Sequence, residues 1–374
     1  MGSARLRDAP PHTPSLPELV GKEHLNIEDF EGRRLAQAMG DNLPIEAAVE
    51  SGQEFRWPRK VDLLGVQVSV TTYEEAAAVI LQAASRGVSG LVSCHAVHAI
   101  VTASREPSLR AKVNTFSMVT ADGQPVRWAL NLLHRARLSE RVYGPELMLR
   151  LCQGAAAAGV PIYLYGGNTE VAGRLETEFR HLWPGLQIAG SESPPFRALT
   201  PDEDRSVVDR INRSGARLVF VGLGCPKQDL FAYEHRHTIK AVQVCVGAAF
   251  DFHAGVKKMA PRWMQRRGME WLYRLAQEPR RLWRRYLVTN SLFVAKVGRA
   301  LLVRGGELSR RKELNRARAR LQPVGRRHVN HTVGTLSTDR RPQEVEVKQR
   351  LLEIPGQGLA SKACSPPAAV KESF

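Results

Sequence analysis

Two apolar runs that each end in a glycine turn constrain this chain more than any other feature. Leu218–Asp229 reads LVFVGLGCPKQD: four apolar residues, then Gly222-Leu223-Gly224, then Cys225-Pro226-Lys227-Gln228. Further on, AVQVCVG ends at Gly247, and Asp251 follows within AAFDFHAG. A short apolar run bounded by turn signals is the pattern of a strand buried on both faces. Glycine at the strand end lets backbone N–H groups approach a phosphate, because no Cβ stands in the way. Lys227 adds a charge, Gln228 an amide that both donates and accepts, and Asp251 an acid in the second turn. Two adjacent strand ends furnished in this way suit a nucleoside-diphosphate group. Two ordinary strand–turn junctions of an α/β domain are the plain alternative, because a lone G-x-G is a weak signal.

The rest of the chain builds a repeat around those strands. Val61–Val70 suggests a hairpin about Gly65, and Tyr73–Ser85 a helix capped by Thr72. Strands are expected at Gly90–Ser93, Phe116–Thr120, Pro161–Tyr165 and Leu186–Ser191. Helices are expected at His95–Ser104, Gln124–Leu133, Gly144–Ala158, Thr169–Leu182 and Asp202–Ser214. Short connections between strand, turn and helix predict an α/β fold, a Rossmann-like parallel sheet covered by helices on both faces. Trp57-Pro58 opens this core, which is assigned to residues 57–260. Residues 1–56 are polar and proline-bearing and read as a disordered extension with a short helix around Ile27–Met39. Residues 261–304, rich in Arg, Trp, Tyr and Leu, read as a basic appendage of two or three amphipathic helices broken at Pro279, and 305–374 as a disordered tail.

Charge bears on partners. Of a net +17, nineteen Lys/Arg against four Asp/Glu lie between Val256 and Arg320, a local excess of +15. Such localisation points to a polyanion: an anionic membrane, a phosphorylated lipid or nucleic acid. Trp271, Leu275, Leu282, Trp283 and Tyr286 are interleaved with Arg266, Arg267, Arg274, Arg280, Arg281, Arg284 and Arg285. That mixture suits a membrane surface, rings at the headgroups and arginines on phosphates, better than a merely solvated basic face. Five cysteines without a C-x-x-C spacing argue against a disulfide framework or structural zinc and for a reducing compartment. The N-terminal MGSARLRDAPPHTPS lacks the apolar stretch of a signal peptide. No uninterrupted apolar run approaches about 18 residues, so no transmembrane helix is expected.

In open α/β sheets, ligands bind at the carboxyl ends of the strands. There the chain places Ser93, His95, Asp122, Gly166-Gly167-Asn168, Gly222, Gly224, Lys227, Gln228 and Asp251. Asp122 could accept a proton from a hydroxyl; capping the helix that begins near Gln124 is its structural alternative. His95 could orient a substrate or help move a proton, or be a structural histidine. Arg141, just before Tyr143-Gly144-Pro145-Glu146, could hold phosphate at a helix start or simply lie on the surface. Asp202-Glu203-Asp204 follows Thr200-Pro201 and reads as helix-start capping. With no H-x-x-x-H or H-E-x-x-H, neither a metal site nor a cofactor is expected.

Taken together, these motifs resemble the bacterial WecG/TagA/CpsF glycosyltransferases. TADGQPVRWA (Thr120–Ala129), RVYGPELM (Arg141–Met148), VGLGCPKQD (Val221–Asp229), GAAFDFHAG (Gly247–Gly255) and APRWMQRRGMEWLYRLAQEPRRLWRRYL (Ala260–Leu287) occur in order within Val61 to Val303. The resemblance implies a GT-E-like Rossmann fold with a C-terminal appendage that binds the membrane and completes the site. It implies an inverting, metal-independent transfer of a hexose (N-acetylmannosamine, its uronic acid, or glucose) from a UDP-sugar to a polyprenyl-diphosphate-linked glycan in exopolysaccharide or other cell-surface polysaccharide synthesis. Carried over by residue, Asp122 is the general base, with His95 and Ser93 beside it. Gly166, Gly167, Asn168, Gly222, Gly224, Lys227, Gln228 and Asp251 surround the UDP, with Arg141 and Glu146 also on the donor side. Arg274, Arg281 and Arg284 contact the acceptor diphosphate. Ser93-Cys94-His95 stands where the family often has T-x-N, and Glu146 where it often has Asp, both within reach of the sugar. The implied location is cytoplasmic, peripheral on the inner face of the cell membrane. Nucleic acid is not an expected partner, and a homo-oligomer is compatible with this reading.

Two rival classes are weighed. A Rossmann oxidoreductase calls for G-x-G-x-x-G with an acid about 20 residues on, and Gly222-Leu-Gly224-Cys-Pro-Lys227 fails at the third glycine. A non-enzymatic binder of nucleic acid or membrane would use the basic segment but leaves Asp122 and the glycine turns without a role.

Overall fold

A computed structural model describes residues 55–320, with side chains described over 55–304. The extension expected over 1–56, with its helix around Ile27–Met39, lies outside the described residues except for its last two, as does the tail beyond Arg320. The described residues up to Arg316 belong to one compact unit, which holds every candidate residue.

The chain enters as a hairpin, β1 (Lys60–Leu63) antiparallel to β2 (Val66–Ser69). Its two-residue turn, Leu64-Gly65, has positive φ at both positions, the mirror-image turn that matches strand twist. Six parallel strands follow: β3 (Gly90–His95), β4 (Met118–Ala121), β5 (Ile162–Gly166), β6 (Ile188–Glu192), β7 (Leu218–Gly222) and β8 (Val242–Cys245), in the order β4-β3-β8-β7-β5-β6. The two featured runs are therefore neighbours, with Val221 opposite Cys245. His95 closes β3 rather than opening the next helix, in register with Ala121.

Alternate residues of these strands face opposite layers, as the two-residue strand period requires. Val92, Leu164, Phe220 and Val244 pack under α1 (Tyr73–Ser85), α5 (Gly144–Ala157), α6 (Thr169–Leu182) and α9 (Ala249–His253). Leu91, Tyr165, Val221 and Cys245 pack under α2 (Val97–Arg105), α3 (Pro107–Asn114), α4 (Gln124–His134), α7 (Pro201–Arg213) and α8 (Lys227–Glu234). The expected sheet covered on both faces is thus what forms. The Asp202-Glu203-Asp204 acids do cap: Thr200 and Glu203 form a capping box at the start of α7, and Asp204 pairs with His235 at 3.0 Å.

At the strand ends β5 and β7 approach so closely that only glycine fits. A Cβ on Gly166 would lie 2.6 Å from the Gly222 carbonyl carbon, and its φ of 137° is itself a glycine conformation. Gly166→Ala is expected to lower the melting temperature by several degrees, from overpacking of about 1–3 kcal/mol plus backbone strain. Thermal unfolding of the variant, with an unchanged melting point as the contrary result, checks this.

After the sheet come α10 (Arg262–Arg266), α11 (Glu270–Gln277) and α12 (Pro279–Arg320), with the break at Pro279 as expected. The boundary expected at 305 needs correction here. Gly305-Gly306 does not end the order, because α12 continues to Arg320. The segment Pro279–Arg304 is also long and apolar enough, by length and composition, to cross a membrane. It holds no long uninterrupted apolar run, because seven cations, Lys296 and Arg299 among them, are scattered along it. One side of this helix is nevertheless committed to protein: Phe293 and Val297 are buried, and Lys296 Nζ donates to Ser104 Oγ of α2 at 2.8 Å.

Candidate active site

Asp122 follows β4 directly, and its carboxylate does not cap α4: the cap position is Gly123, without a side-chain bond. Instead Asp122 Oδ2 accepts the Gly144 N–H at 3.0 Å, at the first turn of α5. A Cβ at that point would be a tight fit, 3.3 Å from both Asp122 Oδ2 and the Val246 carbonyl. Burial pushes the Asp122 carboxyl up to about 6, against the pull of Arg141 and the Gly144 N–H. A carboxyl titrating there is ionised at neutral pH and still basic enough to take a proton.

Arg141 is buried, which removes the surface alternative. Its guanidinium lies over the Tyr143 ring at 4.1 Å, and Nη2 meets Glu270 Oε2 at 2.8 Å and donates to Gln265 Oε1 at 3.0 Å. Arg274, from α11, donates to the Tyr143 hydroxyl at 3.0 Å and pairs with Glu270 Oε1 at 2.8 Å. Tyr143 Oη in turn donates to Glu270 Oε1 at 2.8 Å. Arg141 and Arg274 thus meet at one buried acid, and both act on Asp122.

Ser93 and His95 form a second buried group. Ser93 Oγ donates to Asp229 Oδ1 at 2.6 Å, and His95 Nε2 lies 3.3 Å from the same oxygen. Burial raises the Asp229 carboxyl, but His95 and Ser93 outweigh it and hold it below the usual range. Nearby His98 is driven down to about 3 by burial and by Arg285, so it stays neutral.

The glycine turns divide into residues committed to the fold and residues open to solvent. Gln228 is buried; its Oε1 accepts from Gly224 N at 3.2 Å and abuts Gly247, so this amide ties the turns after β7 and β8 together. Gly222 faces the Phe250 ring and Gly167 the Val171 side chain, each too close for a Cβ. Asn168 caps α6 through Val171 N at 2.7 Å. Lys227 is exposed at the start of α8, and Gly224 opens onto free space. Asp251 lies in α9 rather than in a turn and pairs with Lys257 at 2.7 Å. Glu146 pairs with Arg150 at 3.0 Å. Arg281 is exposed and pairs with Glu278, and Arg284 is exposed.

Three residues of this constellation went unassigned in the sequence although each stands inside a motif quoted above: Tyr143, Asp229 and Glu270. A fourth is His253, whose Nε2 bonds the Pro145 carbonyl at 2.8 Å and fixes α9 to the start of α5.

A parallel sheet with an elevated carboxyl, two arginines and an open glycine turn at Gly224 on its carboxyl edge has the arrangement of a Rossmann-type group-transfer site. The chain belongs to the glycosyl transferase WecG/TagA/CpsF family, whose model matches residues 61–306. It is therefore a glycosyltransferase of cell-surface polysaccharide synthesis, with a sugar donor and a glycan acceptor as its partners.

Proposed function

We propose that the protein moves a hexose from a UDP-sugar to a polyprenyl-diphosphate-linked glycan with inversion and without a metal, at the inner face of the cell membrane. The observation that carries this reading is Asp122, a carboxylate at the carboxyl edge of the sheet that accepts the Gly144 N–H at 3.0 Å and that burial pushes up to about 6 against the pull of Arg141 and Arg274. Asp122 takes the proton of the acceptor hydroxyl as its oxygen attacks the anomeric carbon. The bond to the UDP oxygen breaks on the opposite face, and the departing diphosphate carries the developing negative charge. Preorganised cations and N–H groups stabilise that charge; Lys227, exposed at the glycine turn, is assigned to it. Ser93 and His95, buried and held by Asp229 at the end of β3, are assigned to supporting the sugar side of the site through that strand end.

Residues 57–260 are assigned to catalysis and 261–304 to the membrane and the acceptor diphosphate. Trp263, Trp271, Trp283 and Leu287 are exposed along α10 to α12 among arginines, the composition of an interfacial surface. The packing of Phe293, Lys296 and Val297 against the domain favours a helix lying on the bilayer over one crossing it.

Thermal unfolding with UDP, several UDP-sugars, GDP, CDP and NADPH tests the donor assignment. UDP and one UDP-sugar are expected to stabilise the protein by about 2.7 kcal/mol at a hundredfold excess over Kd, unchanged by magnesium. Stabilisation by NADPH alone, or by no uridine nucleotide, contradicts the reading.

A further inference from the structure

Glu270 reaches the site from α11 and is more heavily engaged than a helix-surface glutamate needs to be. Arg274 Nη2 and Tyr143 Oη share its Oε1, each at 2.8 Å, and Arg141 Nη2 lies 2.8 Å from Oε2. The residue is buried, as is Arg141. Burial raises the Glu270 carboxyl, yet Arg274 and Arg141 outweigh that and keep it ionised.

Glu270 is joined to Asp122 through one short stretch of backbone: Tyr143, which donates to Glu270, precedes Gly144, whose N–H Asp122 Oδ2 accepts at 3.0 Å. Across that link Arg141 and Arg274 pull the Asp122 carboxyl down and Glu270 pushes it up. The other titratable groups facing Asp122 are Cys94 from β3 and Tyr143 from the turn before α5, and burial raises both, so both are neutral. With Asp122 ionised, two cations are balanced by two anions. Without Glu270 the arginines are left to Asp122 alone, and a carboxylate clamped by two guanidiniums is a poor proton acceptor.

We propose that Glu270 is a positioning residue for the transfer reaction: it holds Arg141, Arg274 and Tyr143 on one carboxylate, keeps both cations from closing on Asp122, and so makes the base depend on the seating of α11. The proposal rests on Asp122 being the base. It goes further in assigning a specific acid of the appendage to the control of that base.

The test is a carboxyl titration that needs no substrate. Full-length protein carrying aspartate labelled with carbon-13 at the side-chain carboxyl is titrated by NMR, and Asp122→Asn assigns the Asp122 line. In Glu270→Gln the Asp122 midpoint is expected to fall by at least about one pH unit, because a compensating anion is gone. In Arg274→Gln it is expected to rise, because a cation is gone. A merely structural role, in which loosened α11 admits water, lowers the midpoint in both variants, and that outcome overturns the proposal. An unmoved midpoint in folded Glu270→Gln also overturns it. If Glu270→Gln does not fold, the direction in Arg274→Gln decides. Turnover by Asp122→Asn is measured separately: near-normal turnover removes the base reading itself, whereas a dead Asp122→Asn with unmoved midpoints removes only this proposal.

Discussion

Asp122→Asn is expected to abolish sugar transfer while UDP binding stays largely intact. Removing a positioned general base costs about 10²–10⁴ in rate, and the carboxyl follows β4, three strands away in the sheet from β7, whose turn holds Gly222 and Gly224. The pH dependence has a definite sign. The base works only when ionised, so kcat/KM falls tenfold per pH unit below a midpoint of about 6. Stability runs the other way. The folded-state pKa is raised from 3.8, so the folded protein prefers the protonated form and loses stability as pH rises toward and through about 6. Two pKa units correspond to about 3 kcal/mol. Asp122→Asn should therefore melt a few degrees higher than the parent at pH 8 and show no such gain at pH 4. Near-normal turnover of the variant, or a lower melting point at pH 8, would contradict this assignment.

Deletion from Arg262 onward is expected to leave a folded domain that no longer pellets with anionic vesicles and barely transfers sugar to a lipid-linked acceptor. Both core layers are built almost wholly from residues before that point, with Leu282, Phe293 and Val297 as the buried additions from α12. The site, by contrast, loses Arg274 and Glu270 together. Loss of one preorganised donor alone costs about 10²–10³ in rate, and here the acceptor's membrane surface goes with it. Circular dichroism, vesicle sedimentation and turnover on the truncated protein make the comparison. Full activity on a lipid acceptor would deny the appendage its role.

The strands, their order of helices and the two faces of the sheet were legible because apolar runs and glycine turns are local signals. Thr72 and Thr200 cap the helices their sequences predict. Asp122 was legible as a residue but not in its contacts. Its partner Gly144 lies 22 residues along the chain, so the local alternative, a cap for α4, looked equally good. Glu270 was opaque for the same reason: its partners Arg141 and Tyr143 are more than a hundred residues away, and only the docking of α11 brings them together. Glycines read as phosphate contacts proved to have a second cause, since Gly166 and Gly222 are required by the approach of β5 to β7 and of Phe250. The hydropathy of Pro279–Arg304 was hidden by the seven cations scattered along it.

The most direct test of the account is transfer itself. The full-length protein is incubated, with chelator present, with each of a set of UDP-hexoses and a short polyprenyl-diphosphate-linked sugar, and the lipid product is weighed by mass spectrometry and its new linkage assigned by NMR. The account predicts the mass of one added hexose from one donor, joined with the anomeric configuration opposite to that of the UDP-sugar, and no product with Asp122→Asn. A product that retains the donor's configuration, or no product from any UDP-sugar, would contradict it.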